Sequence, residues 1–244
     1  MNKELLVIVP AYNEEKNIIA VVNDLKKELP FADVLVINDN SSDNTAKVLK
    51  EHNVDFVTTP FNLRYAGVVQ TGSKYAVLKD YKYAAQFDGD GQHVGKELVK
   101  MYEIIKDSDL DIAIGSRFVE ETEYNHAFFR KIGTIVFQKI IQFATKQKIT
   151  DPTSGLQILS KRVYTRYSKM AHYPDYPDAN LIIEMILNGY KIKEIPVQMK
   201  ERVYGESMHA GIWGPFIYML RMMYSIALVL IKYKDLLKAR RRNK

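Results

Sequence analysis

The sequence contains no cysteine, which excludes disulfide bonds, zinc sites with thiolate ligands and cysteine nucleophiles. It has no internal repeat and no linker rich in glycine, serine or proline, so we expect one principal domain. The N-terminus lacks a basic stretch followed by a long apolar run, and we expect no secretory signal. What is present is a globular composition, 47% hydrophobic and 26% charged over 244 residues, which suffices for a sizeable core.

Positive charge is concentrated at the C-terminus. The formal net charge is +6, and residues 232–244 alone carry seven basic side chains against one acidic side chain, Asp235. Residues 1–231 are therefore formally neutral. Because a nucleic-acid-binding domain needs a basic face on the fold itself, we expect no nucleic-acid partner.

Apolar runs alternate with helical patterns along the first half of the chain. Strands are predicted at residues 5–9, 34–37, 56–59, 83–87 and 111–115, the first two of them as buried strands and the third as a short one. Helices are predicted between them, including residues 45–51, 67–78 and 97–106, and then at residues 128–145 and 179–188. A closing strand at residues 192–199 contains Pro196, which suggests a sheet edge or a strand end. This alternation predicts an α/β fold with a mostly parallel sheet.

Polar residues gather directly after four of these strands, at residues 10–14, 39–43, 88–90 and 115–117. In an open parallel sheet, ligands bind at the carboxyl ends of the strands. The four groups are therefore expected to form one site.

The triplet Asp88-Gly89-Asp90 suits a divalent cation. Mg²⁺ and Mn²⁺ take one or two protein carboxylates and complete their shell with water and substrate phosphates. The alternative is an ordinary turn with two solvated aspartates. The metal site is favoured because the triplet directly follows an apolar strand and is itself followed by Gln92 and His93.

Two other strand ends carry candidate ligand-binding groups. Asp39 is placed to accept a hydrogen bond from a nucleobase N–H. Residues 40–43 are suited to cap the next helix, and Asp43 and Thr45 are expected to be structural. Arg117 is suited to bidentate binding of phosphate oxygens, the alternative being a surface arginine.

Five motifs together resemble a family 2 glycosyltransferase, with the greatest similarity to dolichyl- or polyprenyl-phosphate sugar synthases. They are VIVPAYNE at residues 7–14, NDNSSDNT at 38–45, DGDGQH at 88–93, GSRF at 115–118 and DPTSG at 151–155. The resemblance implies a GT-A fold, a Rossmann-like nucleotide-sugar-binding domain. We place this catalytic domain at residues 1–207 and a helical, membrane-associating segment with a polybasic tail at residues 208–244.

The resemblance also implies roles for individual residues. Those expected to bind the nucleotide sugar are Pro10, Ala11, Tyr12, Glu14, Asp39, Asp88, Gly89, Asp90, Gln92 and Arg117. Those expected to hold Mg²⁺ or Mn²⁺ are Asp88, Asp90 and Gln92, and the expected catalytic residues are Asp88, Asp90, Arg117 and Asp151. Arg130 and Arg202 match arginines that face the donor diphosphate or the acceptor phosphate, and Asn62, Gly67 and Gly72 match a glycine-bearing helix start.

The sequence departs from the family pattern in three places. The usual Asp-Asp pair of the second motif is Asn38-Asp39, which leaves base recognition to one carboxylate. The C-terminal Arg-x-x-Gly-x-Ser-Lys pattern ends in Met208 instead of lysine. The long hydrophobic spans of the family are not plainly present.

The segment 212–231 is mostly apolar and long enough to cross a bilayer, but Arg221 lies at its centre. We therefore favour a helix that lies in the membrane interface over a single span, with the basic tail facing an anionic leaflet. The alternative without membrane association is a helix packed on the domain, followed by a charged tail. The expected location is the cytoplasmic face of the membrane, where a small membrane-protein partner is plausible.

Three functions compete on the sequence. The first is inverting transfer of a hexose or N-acetylhexosamine from a nucleotide-diphosphate sugar, expected to be UDP-linked, to polyprenyl phosphate. The second is transfer to a saccharide hydroxyl in cell-wall or capsule synthesis, with Asp151 or Asp178 as the base. The third is an inactive nucleotide-binding scaffold subunit. A nicotinamide-binding protein is disfavoured because no Gly-x-Gly-x-x-Gly follows the first strand.

Overall fold

The computed structural model describes residues 3–118, 128–171, 173–201 and 213–235. The described residues form a seven-stranded sheet in the order β3-β2-β1-β4-β6-β5-β7. The strands are β1 (Lys3–Ala11), β2 (Asp33–Asn38), β3 (Phe56–Thr58), β4 (Tyr81–Gln86), β5 (Ile112–Ser116), β6 (Gln157–Ser160) and β7 (Ile192–Pro196). Strand β6 runs antiparallel to both of its neighbours, and all other pairs are parallel. The expected α/β fold with a mostly parallel sheet is confirmed.

Helices cover both faces of the sheet. They are α1 (Ile18–Glu28), α2 (Thr45–Glu51), α3 (Arg64–Lys79), α4 (Gly95–Lys106), α5 (Phe128–Thr145), α6 (Lys161–Lys169), α7 (Ala179–Leu187) and α8 (Trp213–Lys232). Successive strand residues point to opposite faces, so Leu6 and Ile8 of β1 pack under α3 and α5–α8. Leu5, Val7 and Val9 pack under α1, α2 and α4. Residues 5–9 of β1 are all apolar, as expected of a strand that is covered on both faces.

Most predicted elements are present with small shifts of their ends. The predicted helices at residues 45–51 and 128–145 have the bounds of α2 and α5. Strand β7 lies at the sheet edge and ends at Pro196, as expected. Strand β6 and helix α6 were not predicted, because β6 has only four residues and α6 buries only Val163, Tyr164 and Tyr167 in a largely polar segment.

Helix α3 packs so closely on β1 that Gly72 has no room for a side chain. A Cβ at this position would lie 2.4 Å from Cγ2 of Ile8, which is fully buried and held on all sides. We expect Gly72→Ala to lower the free energy of unfolding by about 1–3 kcal/mol, measured by urea denaturation. A loss below about 0.5 kcal/mol would mean that α3 can shift on the sheet without cost.

Helix α8 is fixed along one side by apolar and polar contacts. Met222 and Ile226 are buried in the same core as α5 and α7. Three side chains of α8, spaced seven residues apart, bind α7 and the residue before it. These contacts are Tyr218 with Asp178 at 2.6 Å, Ser225 with Asn180 at 2.6 Å and Lys232 with Glu184 at 2.9 Å.

The outer side of α8, with part of α5, exposes apolar side chains. They are Ile135, Phe143, Phe216, Ile217, Leu220, Met223, Tyr224, Leu228 and Ile231, which we call the apolar face. No helix within the described ranges combines the length and apolarity needed to cross a bilayer. Arg202 and the tail beyond residue 235, which the sequence assigned to phosphate and membrane binding, lie outside the described residues.

Candidate active site

The five sequence motifs meet at one edge of the sheet. Backbone hydrogen bonds join the motif after β1 to the motifs after β2 and β4: the N–H of Asp39 donates to the carbonyl of Ala11 at 2.8 Å, and that of Gly89 to Pro10 at 3.2 Å. Because β6 is antiparallel, the turn that enters it lies at the same edge. Its Leu156 carbonyl accepts the N–H of Gly115 at 2.9 Å. This turn therefore fills the gap between the motifs after β4 and β5.

Asp39 is a buried carboxylate, 3% exposed, at the end of β2. Its Oδ1 atom accepts the backbone N–H of Leu63 at 2.7 Å and lies 2.9 Å from the hydroxyl of Thr59. Within the described residues, Oδ2 accepts no hydrogen bond. Tyr12, which follows the Ala11 whose carbonyl accepts the Asp39 N–H, is 50% exposed. Phe61, whose carbonyl oxygen lies 2.9 Å from the Thr59 hydroxyl, is 62% exposed. Asp39 thus offers one acceptor, Oδ2, near chain segments that carry two exposed aromatic residues.

The turn after β2 is held by its own side chains. Asn38 is buried, its amide donates to Thr58 at 3.1 Å, and its carbonyl oxygen accepts the Ser41 hydroxyl at 2.5 Å. The asparagine that replaces the family's first aspartate therefore supports the turn. Asp43 accepts the backbone N–H of Thr45 at 2.9 Å, as expected of a structural residue.

The residues just before α1 are tied to this turn. Thr45 accepts the backbone N–H of Glu14 at 2.9 Å, and the Glu14 carboxylate accepts the Asn17 amide at 2.6 Å. The two motifs that were expected to line a nucleotide therefore form one rigid unit.

Gly89 lets the Asp88-Gly89-Asp90 turn lie against β1. A Cβ at Gly89 would stand 2.7 Å from the Pro10 carbonyl oxygen. The Asp90 carboxylate accepts the backbone N–H of Gln92 at 3.1 Å. Burial is the largest single effect on Asp88 and acts to raise its pKa. The hydrogen bond with His93 at 3.2 Å, the charge of His93 and the smaller effects of Tyr65 and Arg117 together outweigh burial, so the pKa lies below its usual value.

The donor set at this turn suits a hard divalent cation. One oxygen of Asp88, Oδ1, is buried and has no hydrogen-bond partner within the described residues. In the same ranges no three acidic or histidine side chains converge on one point. Two carboxylates with an unsatisfied oxygen match a cation that completes its shell with phosphate and water.

The turn that enters β6 packs directly on Asp88. A Cβ at Gly155 would lie 2.6 Å from Asp88 Oδ2 and 3.1 Å from the hydroxyl of Tyr65. Among the residues that the structure describes, that hydroxyl is buried and makes no hydrogen bond of acceptable geometry, and burial followed by the Asp88 charge raises the pKa of Tyr65 well above its usual value. Tyr65 is therefore a neutral hydroxyl beside the Asp88 carboxylate.

Arg117 forms a bidentate ion pair with Asp151, which is fully buried. Its Nε donates to Oδ2 and its Nη2 to Oδ1, both at 2.7 Å, and its backbone N–H also donates to Oδ2 at 3.1 Å. Both oxygens of Asp151 are occupied by this pair. The geometry favours Asp151 as the group that positions Arg117, rather than as a proton acceptor.

Asp178, just before α7, is a second carboxyl with a perturbed pKa. Burial and the charges of Asp151 and Asp88 raise its pKa to about 6, although the hydrogen bond from Tyr218 opposes the rise. Asp178 therefore changes its charge close to neutral pH, and it is close enough to Asp88 for the Asp88 charge to affect its pKa.

Some expected site residues fall beyond what the structure describes, and some site residues were not expected. Arg130 belongs to α5, but its side-chain position is not described, and Arg202 lies outside the described residues.

The sequence analysis missed Thr59, Phe61, Tyr65 and Tyr218. Only Tyr65 had a usable signal, because it lies between Asn62 and Gly67, both of which matched the family's helix start.

Comparison with known proteins identifies relatives over most of the chain. Residues 6–168 match the family described as Glycosyl transferase family 2. The chain is 28% identical over 218 residues to UDP-N-acetylglucosamine--dolichyl-phosphate N-acetylglucosaminyltransferase of Methanococcus voltae, covering 81% of this chain and 86% of that protein. It is 27% identical over 215 residues to polyprenol monophosphomannose synthase of Mycolicibacterium smegmatis, covering 84% and 81% respectively.

Solved structures share the fold at low sequence identity. Mannosyl-3-phosphoglycerate synthase from Rubrobacter xylanophilus superposes with a TM-score of 0.70 at 11% identity, covering 95% of this chain and 75% of that one. A mannosyltransferase from Pyrobaculum calidifontis, in complex with GDP-Man and Mn²⁺, gives 0.63 at 16% identity, covering 98% and 69%. The expected GT-A fold is confirmed. Since the family match extends over more than half of the chain, the protein belongs to glycosyl transferase family 2.

Proposed function

We propose that the protein moves a hexose or N-acetylhexosamine from a UDP-linked sugar to polyprenyl phosphate, with inversion at the anomeric carbon. The observation that carries the proposal is the meeting of the Asp88-Gly89-Asp90 turn with the Arg117–Asp151 pair across the turn that enters β6. The names of two relatives that cover more than 80% of this chain, transferases of dolichyl phosphate and polyprenol phosphate, support a lipid-phosphate acceptor.

The donor nucleotide would lie along the ends of β1 and β2. Asp39 would accept a base N–H, and the exposed ring of Tyr12 would stack on the base. Pro10, Ala11 and Glu14 would line the sugar-phosphate part, because the contact of Glu14 with Thr45 keeps this segment against the β2 turn.

The diphosphate would lie between Asp88-Gly89-Asp90 and Arg117. Asp88 and Asp90, with Gln92, would hold Mg²⁺ or Mn²⁺, which supplies neutralisation of the leaving diphosphate when bound. Gly89 lets the backbone of this turn lie close to β1, since the Gly89 nitrogen is 3.2 Å from the Pro10 carbonyl oxygen. Arg117, held by Asp151, would donate hydrogen bonds to phosphate oxygens where negative charge develops.

A phosphate acceptor removes the need for a strong base. Its oxygen is already anionic near neutral pH and would attack the anomeric carbon as the bond to the nucleotide diphosphate breaks. Arg130 and Arg202 are the side chains that we assign to this acceptor phosphate. Asp151 then has a positioning role through Arg117, as its two 2.7 Å contacts indicate.

Transfer to a saccharide hydroxyl is the second candidate. It is favoured by Asp178, whose pKa of about 6 suits a base that takes a hydroxyl proton near neutral pH. An inactive scaffold subunit is disfavoured, because Asp88 and Asp90 retain the arrangement that a metal-dependent transferase needs.

The apolar face supports action at a membrane surface. Contiguous exposed apolar side chains on soluble domains mark protein or membrane contacts. Lys139 and Lys232 occur on the same two helices, Lys146 directly follows α5, and the sequence beyond residue 235 adds further basic residues. We propose peripheral binding to the anionic cytoplasmic leaflet, with a small membrane protein as the alternative partner.

We expect the triple variant Leu220→Ser, Tyr224→Ser and Leu228→Ser to lose at least about ten-fold in binding to vesicles of phosphatidylcholine and phosphatidylglycerol. Each substitution removes apolar surface that the bilayer interface would bury. Co-sedimentation measures the bound fraction, with Leu78→Ser on α3, 76% exposed, as the matched control. Equal binding by the triple variant and the control would exclude the apolar face as the membrane contact.

A transfer assay tests the proposed reaction. Radiolabelled UDP-glucose and UDP-N-acetylglucosamine are incubated with the protein, polyprenyl phosphate in vesicles and Mn²⁺, with and without EDTA. Butanol-extractable label that EDTA abolishes is the expected result. Label only in polysaccharide would favour the hydroxyl acceptor, and no turnover with any donor would favour the scaffold function.

A further inference from the structure

The two oxygens of the Asp39 carboxylate differ in the hydrogen bonds that they accept. Its Oδ1 accepts the N–H of Leu63 at 2.7 Å. The hydroxyl of Thr59 lies 2.9 Å from Oδ1 and also 2.9 Å from the Phe61 carbonyl oxygen. A hydroxyl has one proton to give, and a charged acceptor makes the stronger bond. The proton therefore goes to Oδ1, which then accepts two hydrogen bonds, while Oδ2 accepts none from the described residues.

Nucleobases differ in how many donors they present to such a group. Uracil offers one ring N–H between two carbonyl oxygens. Guanine offers a ring N–H and an amino N–H side by side, and a carboxylate takes this edge best when each oxygen accepts one of them. With Oδ1 filled, one guanine donor would be buried without a partner, which weakens binding.

The side chain before Asp39 does not restore the second acceptor. Both polar atoms of Asn38 are used within the turn, by Thr58 and Ser41. Of the Asn38-Asp39 pair, Asp39 Oδ2 is therefore the side-chain acceptor that remains for a base.

We infer that Thr59, together with the backbone N–H of Leu63, makes this site bind uracil in preference to guanine. Uracil presents one N–H donor to Asp39, whereas guanine presents two adjacent donors. The inference rests on the proposed use of Asp39 as the base-binding residue. It assigns to Thr59 a specificity role, exerted through Asp39, that its place at the end of β3 alone does not indicate.

Calorimetric titration of the protein with UDP and with GDP, in the presence of Mn²⁺, tests the inference. We expect the wild-type protein to bind UDP at least about ten-fold more tightly than GDP, the effect of about one unpaired hydrogen bond. Thr59→Val removes one of the two hydrogen bonds that Oδ1 accepts, so Oδ1 can accept a guanine donor. The preference for UDP over GDP should therefore fall at least about five-fold, through tighter GDP binding. Thr59→Ser keeps the hydroxyl and should retain the wild-type ratio.

The control is Thr71→Val, which removes a hydroxyl of α3 that donates only to the Gly67 carbonyl. Its ratio should equal that of the wild type. Equal wild-type affinities for UDP and GDP would overturn the inference and leave the transferase proposal intact. A UDP preference that Thr59→Val leaves unchanged would remove the assignment to Thr59. Failure to bind either nucleotide would overturn both proposals together.

Discussion

Replacing Asp90 by asparagine is expected to slow sugar transfer by at least about a thousand-fold. The change removes one of the two negative charges proposed to hold the divalent cation, and the diphosphate would then leave without charge neutralisation. The fold should persist, because the side chain is partly exposed and an amide oxygen can still accept the backbone N–H of Gln92. Single-turnover assays with radiolabelled donor across a Mn²⁺ titration measure the effect.

Asp107→Asn is the matched control. It makes the same chemical change at the far end of α4, on an exposed residue, and should leave the rate unchanged. Retention of more than about a tenth of the wild-type rate by Asp90→Asn would contradict a metal-holding role for this carboxylate.

The second large effect is on stability. Arg117→Ala should lower the free energy of unfolding by about 3–5 kcal/mol, because it leaves the fully buried Asp151 carboxylate without its counter-charge. For a domain of this size the midpoint of thermal unfolding should fall by about 10 °C. Urea denaturation and scanning calorimetry measure these two quantities.

Lys161→Ala serves as the comparison. Its ion pair with Asp80 spans 2.5 Å, and the two side chains are 57% and 77% exposed. Exposed pairs contribute at most about 1 kcal/mol, so this variant should be nearly as stable as the wild type. Similar losses in the two variants would mean that the Arg117–Asp151 pair gains nothing from its burial.

Much of the fold followed from the sequence because strands such as β1, β2 and β5 are buried on both faces. A strand such as β1 has no polar side, so its continuous apolar run could be recognised without knowledge of its neighbours. The site residues at strand ends were predictable for a related reason, since the carboxyl ends of parallel strands share one edge.

What the sequence did not reveal depends on contacts between distant segments. Strand β6, Gln157–Ser160, is too short for a periodic pattern, and its antiparallel direction is seen only in its pairing with β4 and β5. The engagement of Asp39 by Thr59 joins residues twenty positions apart. Likewise, the sequence offered Asp151 as a possible base, and only its two contacts with Arg117 point to a positioning role.

The central position of β6 has a consequence for how the chain acquires its activity during synthesis. Ala84 of β4 pairs with Leu159 of β6, and Ile112 of β5 pairs with the same residue. In the described sheet β4 and β5 do not pair with each other, because β6 lies between them. Pairings of such long range are expected to form late, since loop closure costs entropy before contacts repay it. We therefore expect the carboxylates after β4 and the arginine after β5 to come together only once residues 157–160 have paired with both strands. A nascent chain ending before β6 would then lack the arrangement that we propose to bind the donor.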